Sequence, residues 1–175
     1  MADGFNIETE RPFQKGRTVN FELISENGKR DLTKEVKDGD LPILETEVDF
    51  EGLGLIHMER DYASITLSTE KFLDYLKVDN IENVTIDESK TEQSERYTRY
   101  IKTLVQSNTK ADDTIYKAEV GQAFEIILMN NPYDLKGKEW IEAKILFMGK
   151  PLANKVITAR NRDGNLPATH QYSRT

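Results

Sequence analysis

His57, Glu59 and Asp61 stand at alternate positions in "GLGLIHMERD" and are the side chains whose types and spacing best suit a metal ion. Along a strand, alternation projects Leu53, Leu55, His57 and Glu59 from one face and Ile56 and Met58 from the other. An imidazole with carboxylates suits nickel, cobalt or zinc. Neighbours two apart on a strand lie roughly 7 Å from one another, too far for tight chelation by all three unless the strand bends. The competing reading is a solvated strand face shared with Arg60 and nearby charges.

A second cluster lies in "SERYTRYIKTLVQS", where Tyr97, Tyr100, Ile101 and Leu104 fall at i, i+3, i+4 and i+7. That spacing predicts a helix with one apolar stripe and with Arg96, Arg99 and Lys102 on its flanks. Arg96, Arg99 and Tyr100 are then candidate contacts for an anion or for a partner's carboxylates. The competing reading packs the tyrosines on a sheet and pairs the basic residues with the acidic stretch "DESKTEQSE".

Little else in the chain suits catalysis. The two histidines, His57 and His170, are far apart, and His170 near the C-terminus is expected to be solvated. There is no Gly-x-Ser-x-Gly elbow, and "EGLGL" lacks the third glycine of a dinucleotide loop. The absence of cysteine removes disulfides, thiolate nucleophiles and cysteine-based zinc sites together. These features favour a non-enzymatic chain over a hydrolase with an unrecognised site.

The elements that would carry these residues are mostly short strands. In "RTVNFELISENGKRDL" Val19, Phe21 and Leu23 alternate with Asn20, Glu22 and Ile24, and Asn27-Gly28 predicts a type I′ hairpin turn. "STEKFLDYLKV" reads as a helix capped by Ser68, with Glu70 in its first turn and an apolar stripe of Phe72, Tyr75 and Leu76. Strand patterns return in "QAFEIILMNNP", in "WIEAKILF" from Trp140, and in "KVITAR". The bend "FMGKPLANKVITA" reads as a hairpin with Pro151 just outside the paired region. The pattern is mainly β: an antiparallel β-sandwich in which a helical insertion over 68–112 separates a β part over 1–67 from a β-sandwich part over 113–175.

With 175 residues, 37% hydrophobic and 31% charged, the chain has the profile of one soluble domain or two small ones. A net charge of −7 disfavours nucleic-acid backbones and anionic membrane surfaces. No apolar run approaches the ~18 residues of a membrane-spanning helix.

Three segments together resemble an uncharacterised family of bacterial periplasmic proteins associated with the periplasmic part of nickel and cobalt uptake systems. They are "STEKFLDYLKVDNIENV", the Arg-Tyr-x-Arg-Tyr-x-Lys pattern in "SERYTRYIKTLV", and "NNPYDLKGKEWIEAKILFMGKPLANKVITA" with its Gly-Lys-Pro-Leu. The resemblance extends weakly upstream through "RDLTKEVKDGDLPILETEV" and "HMERDYASITL". It implies a sandwich of the transthyretin or carboxypeptidase-regulatory type for the last segment. It also implies nickel or cobalt as the ion and a membrane transport complex or another envelope protein as the partner. Family members begin with a signal peptide and a His-Asp-x-Trp-like segment and continue past the final Asp-Gly turn, so the resemblance implies a shortened member. The expected function is a non-enzymatic, periplasmic or otherwise extracytoplasmic binding or accessory domain. A structural or adhesion-like envelope module without a small ligand is the alternative.

Overall fold

The computed structural model describes residues 10–79, 81–110, 113–135 and 140–159, together with the backbone of short strands at 2–3, 6–7 and 169–172. In chain order the strands are β1 (Ala2–Asp3), β2 (Asn6–Ile7), β3 (Thr18–Ser25), β4 (Gly28–Asp31), β5 (Gly52–Arg60) and β6 (Ala63–Ser68). After the helix α1 (Thr69–Val78) come β7 (Glu92–Tyr97), β8 (Tyr100–Ser107), β9 (Phe124–Leu128), β10 (Ala143–Phe147), β11 (Lys150–Pro151), β12 (Val156–Ala159) and β13 (Thr169–Tyr172). Every pairing is antiparallel, and the architecture is mainly β, of the sandwich class rather than a closed barrel.

The chain divides into two compact units, Met1–Arg60 with Tyr100–Thr175, and Asp61–Arg99. The first holds a four-stranded sheet in the order β4-β3-β5-β8, a three-stranded sheet in the order β11-β10-β9, and the small pairs β1-β2 and β12-β13. Its core is built where alternation in β3 turns Phe21 and Leu23 to one face, opposite Met58 and Ile56 of β5. Phe13, Leu32, Val36 and Phe50 close over that face, with the Phe13 and Phe21 rings stacked 6.0 Å apart. A side chain at Gly54 would run into the Phe50 ring and Leu23, so this strand position is open only to glycine. Arg30 ties down the irregular segment after β4, pairing with Glu35 at 3.1 Å and Asp49 at 2.9 Å.

Val19, expected inward with Phe21 and Leu23, is 61% exposed. The register jumps from Thr18↔Arg60 to Asn20↔Glu59, so Val19 is the extra residue of a bulge that turns it to solvent. The turn after β3 also departs from expectation. Ser25 pairs with Gly28, so the loop residues are Glu26 and Asn27, and neither has the positive φ that a type I′ turn needs at both central residues; it falls on Gly28 (99°).

The hairpin of β10 and β11 is present, with the two-residue turn Met148-Gly149 at φ 50° and 72°. Pro151 lies inside the short ladder, opposite Leu146, and not outside it. It is tolerated because β11 is an edge strand, and the neighbouring Leu152 N–H donates to the Ile145 carbonyl at 3.0 Å. Trp140 precedes β10 and is 77% exposed, so it covers no core edge.

The second unit pairs β6 with β7 and carries α1, the one α-helix among the described residues. Ser68 caps it, accepting from the Lys71 N–H at 3.4 Å, and Glu70 sits in the first turn. Phe72 is buried and meets Tyr75 edge-on. The helix expected over the tyrosine-rich segment is absent. Residues 92–97 and 100–107 are strands, so the insertion is α-helical only over Thr69–Val78. Tyr97 ends one strand and Tyr100 opens the next, and the break at Thr98–Arg99 splits the helical spacing. Tyr, Ile, Thr and Val all suit a pleated surface, and full-length pairing of β8 with β5 overrides the local helical pattern.

Candidate functional site

The face of the four-stranded sheet opposite the core carries a charged row through its middle. Register places Glu22 of β3 against His57 of β5, and His57 against Lys102 of β8. Flanking rows are Ile24, Leu55 and Leu104 on one side and Asn20, Glu59 and Tyr100 on the other. Directly opposite side chains on one face of an antiparallel pair lie within interaction distance, so the charged row is a connected set.

His57 is 2% exposed, and its Nε2 lies 3.2 Å from Glu22 Oε2. A carboxylate only accepts, so Nε2 carries the proton and Nδ1 is left as an acceptor. No described residue donates to that buried Nδ1. Burial holds the imidazole below its ordinary pKa; the charge and hydrogen bond of Glu22 oppose this, and Lys102 and Lys29 reinforce it. His57 is therefore neutral near pH 7.

Lys102 reaches from β8 to the second sheet. Its ammonium donates to Glu125 Oε1 of β9 at 2.6 Å, to the Ala118 carbonyl at 3.2 Å and to the Ile126 carbonyl at 3.3 Å. Three N–H groups thus meet three acceptors. Glu125, 2% exposed, also accepts from the backbone N–H groups of Val120 at 2.6 Å and Gly121 at 3.0 Å. Burial pushes its pKa up, but Lys102 and these two N–H groups outweigh it and hold the carboxyl below its ordinary value. The pair is a structural bridge between sheets, fully occupied by its own partners.

Beside this bridge the two sheets leave a cleft of about 400 Å³. Its walls are strands that terminate their sheets, β8 on one side and β9 on the other. Leu55, Leu104, Tyr100, Tyr116, Phe124 and Ile126 give it an apolar and aromatic lining. Carbonyls along the edge of β8 are taken internally: Leu104 O by the Tyr133 hydroxyl at 3.0 Å, and Ile101 O by the Gln122 amide at 3.4 Å. What remains on offer is chiefly shape and aromatic surface.

The sequence-based candidates distribute differently. His57 is neither a metal ligand held open nor part of a solvated face; it is buried against Glu22. Glu59 shares its face beside Tyr100, while Asp61 lies beyond the end of β5 and accepts from the Tyr62 N–H at 2.7 Å. Among the described residues no three His, Asp or Glu side chains are grouped to hold a metal ion. The nickel or cobalt ion that the resemblance implies is therefore not fitted by His57, Glu59 and Asp61. Arg96 lies over the Tyr62 ring at 4.6 Å and Arg99 over the Tyr97 ring at 4.9 Å. Both belong to the unit 61–99, whereas Tyr100 lines the cleft of the other unit. Glu22, Glu125 and Tyr116 were not singled out from sequence. The signal for the first two was a lone carboxylate inside an apolar strand, "NFELI" and "FEIIL", which calls for a buried cationic or N–H partner.

No helix among the described residues is long and apolar enough to cross a membrane. No curated protein and no solved structure matches the chain significantly. A family model described as a domain of unknown function (DUF4198) matches residues 3–175. Covering almost every residue, that match places the chain in the DUF4198 family.

Proposed function

We propose that the chain is a non-enzymatic extracytoplasmic binding or accessory domain that seats an apolar or aromatic group of its ligand between β8 and β9. The observation that carries this reading is the cleft itself, whose volume and lining suit such a group. The saturation of Lys102 and Glu125 supports a scaffolding role for the charged pair beside it. The extracytoplasmic setting, and a membrane transport complex or other envelope protein as partner, rest on the resemblance of the tyrosine-rich and Gly-Lys-Pro-Leu segments to periplasmic components of nickel and cobalt uptake. Such a link would run through the partner, since His57, Glu59 and Asp61 make no metal centre.

Titration of the isotopically labelled chain with p-cresol and with indole tests the cleft. Amide shifts confined to β8, β9 and the turn at Tyr116 are expected. Shifts scattered over the surface, or none at millimolar probe, would favour a structural envelope module without a small ligand.

A further inference from the structure

We propose that His57 is a proton-operated release for the bridge between the two sheets: a proton taken up at Nδ1 loosens Lys102 from Glu125 and frees the segment that Glu125 holds. His57 lies between Glu22 and Lys102 in the row Asp31, Glu22, His57 and Lys102, and it is buried on a central strand. Its Nε2 is engaged by Glu22, so the only nitrogen that can gain a proton is Nδ1, which has no partner among the described residues. Protonation there creates a buried N–H without an acceptor and places a cation beside Lys102, its direct cross-strand neighbour.

The groups facing the ring set the balance. Glu22 on β3 favours the cation, while Lys102 on β8 and Lys29 on β4 oppose it. The 3-10 turn Ile115–Lys117, which also packs on β5, ends in Lys117. Its ammonium lies over the Tyr116 ring, and Asp113 just before the turn is committed to the Leu53 N–H. Glu125 is the carboxylate that Lys102 binds, and it is held by Lys102, Val120 and Gly121 together. Relief of the new charge therefore comes from moving Lys102 away or drawing Glu125 over, and either step breaks the bridge. The segment at Val120 and Gly121 is then released, because its N–H groups bind the same carboxylate. That this also opens the cleft, which Lys102 lines, rests on the ligand reading above; the release itself does not.

The test follows the full chain by NMR from about pH 7.5 to about pH 5, the range in which histidine alone titrates among ordinary side chains. The ring of His57 is observed in a His170→Ala background, and amide exchange is read at Val120 and Gly121. Exchange is taken relative to the intrinsic amide rate at each pH, and the expected result is a ring titration whose midpoint coincides with a rise of about tenfold in that ratio at both amides, the signature of local opening. In His57→Gln that ratio stays flat. Exchange that is unchanged while the ring titrates, or that rises equally in His57→Gln, overturns the proposal. A ring that stays neutral until the whole chain unfolds overturns it as well. If His57→Gln does not fold, coincidence or separation of the two wild-type midpoints still decides.

Discussion

Lys102 and Glu125 show how a buried pair differs from the surface charges around it. Removing one partner leaves an ion buried without compensation, which costs roughly 3–5 kcal/mol, whereas replacing both by apolar residues is often neutral or better. Lys102→Met is therefore expected to lower the urea midpoint strongly, and Lys102→Met with Glu125→Leu to recover part of the loss, the rest being the Val120 and Gly121 N–H groups left without their acceptor. Equal losses in the single and double variants would contradict the bridge. The same residues give stability two separate pH windows. His57 has a folded pKa below its ordinary 6.5, so its contribution is complete above that value and declines as pH falls through it. The limiting slope is about 1.4 kcal/mol per pH unit. Glu125 has a folded pKa below its ordinary 4.5, so its contribution is lost only as pH falls below that. Urea unfolding at about pH 7 and about pH 5.5 should then differ in the wild type and not in His57→Gln. In calorimetric titration with nickel, cobalt and zinc, His57→Ala is expected to leave the isotherms unchanged; a binding event abolished by the substitution would restore a metal role for that strand.

At the scale of elements, packing decides where local patterns compete. Gly54 sits under the Phe50 ring and Leu23, so Gly54→Ala overpacks the core and should cost roughly 1–3 kcal/mol by urea unfolding. A neutral result would mean that Phe50 is not seated there. Several strands were legible because alternation in segments such as "NFELIS" is strong, and α1 was legible because its cap, first-turn acid and apolar stripe agree. The tyrosine-rich segment was not. Tyr97, Tyr100, Ile101 and Leu104 satisfy a helical period by coincidence across a strand break, and only the partner strand β5, distant in sequence, reveals it. The charged row was hidden for the same reason. Glu22, His57 and Lys102 meet only once register is known, and the contact of Lys102 with Glu125 needs the second sheet.

For the whole molecule, the division falls at Arg60 and Tyr100, not at the bounds 68–112 that the sequence suggested for an insertion. The two units are continuous with adjacent strands: Glu59 of β5 pairs directly with Tyr100 of β8. Replacing residues 61–99 by Asn-Gly turns that junction into a three-residue hairpin loop with glycine available for positive φ. The shortened chain is expected to unfold cooperatively, with the bridge of Lys102 to Glu125 intact. A chain without a cooperative transition would show that the first unit depends on the second.

The central claim, that the space between β8 and β9 seats a ligand, is tested most directly by comparing the affinity of p-cresol for the wild type and for Ile126→Glu. That substitution places a charge in the apolar wall at a partly exposed position, where the fold tolerates it. The account predicts binding to the wild type with shifts along β8 and β9, and a loss of about tenfold or more in the variant, on the order of 1.4 kcal/mol. Equal affinity in both, or shifts mapping elsewhere, would contradict it.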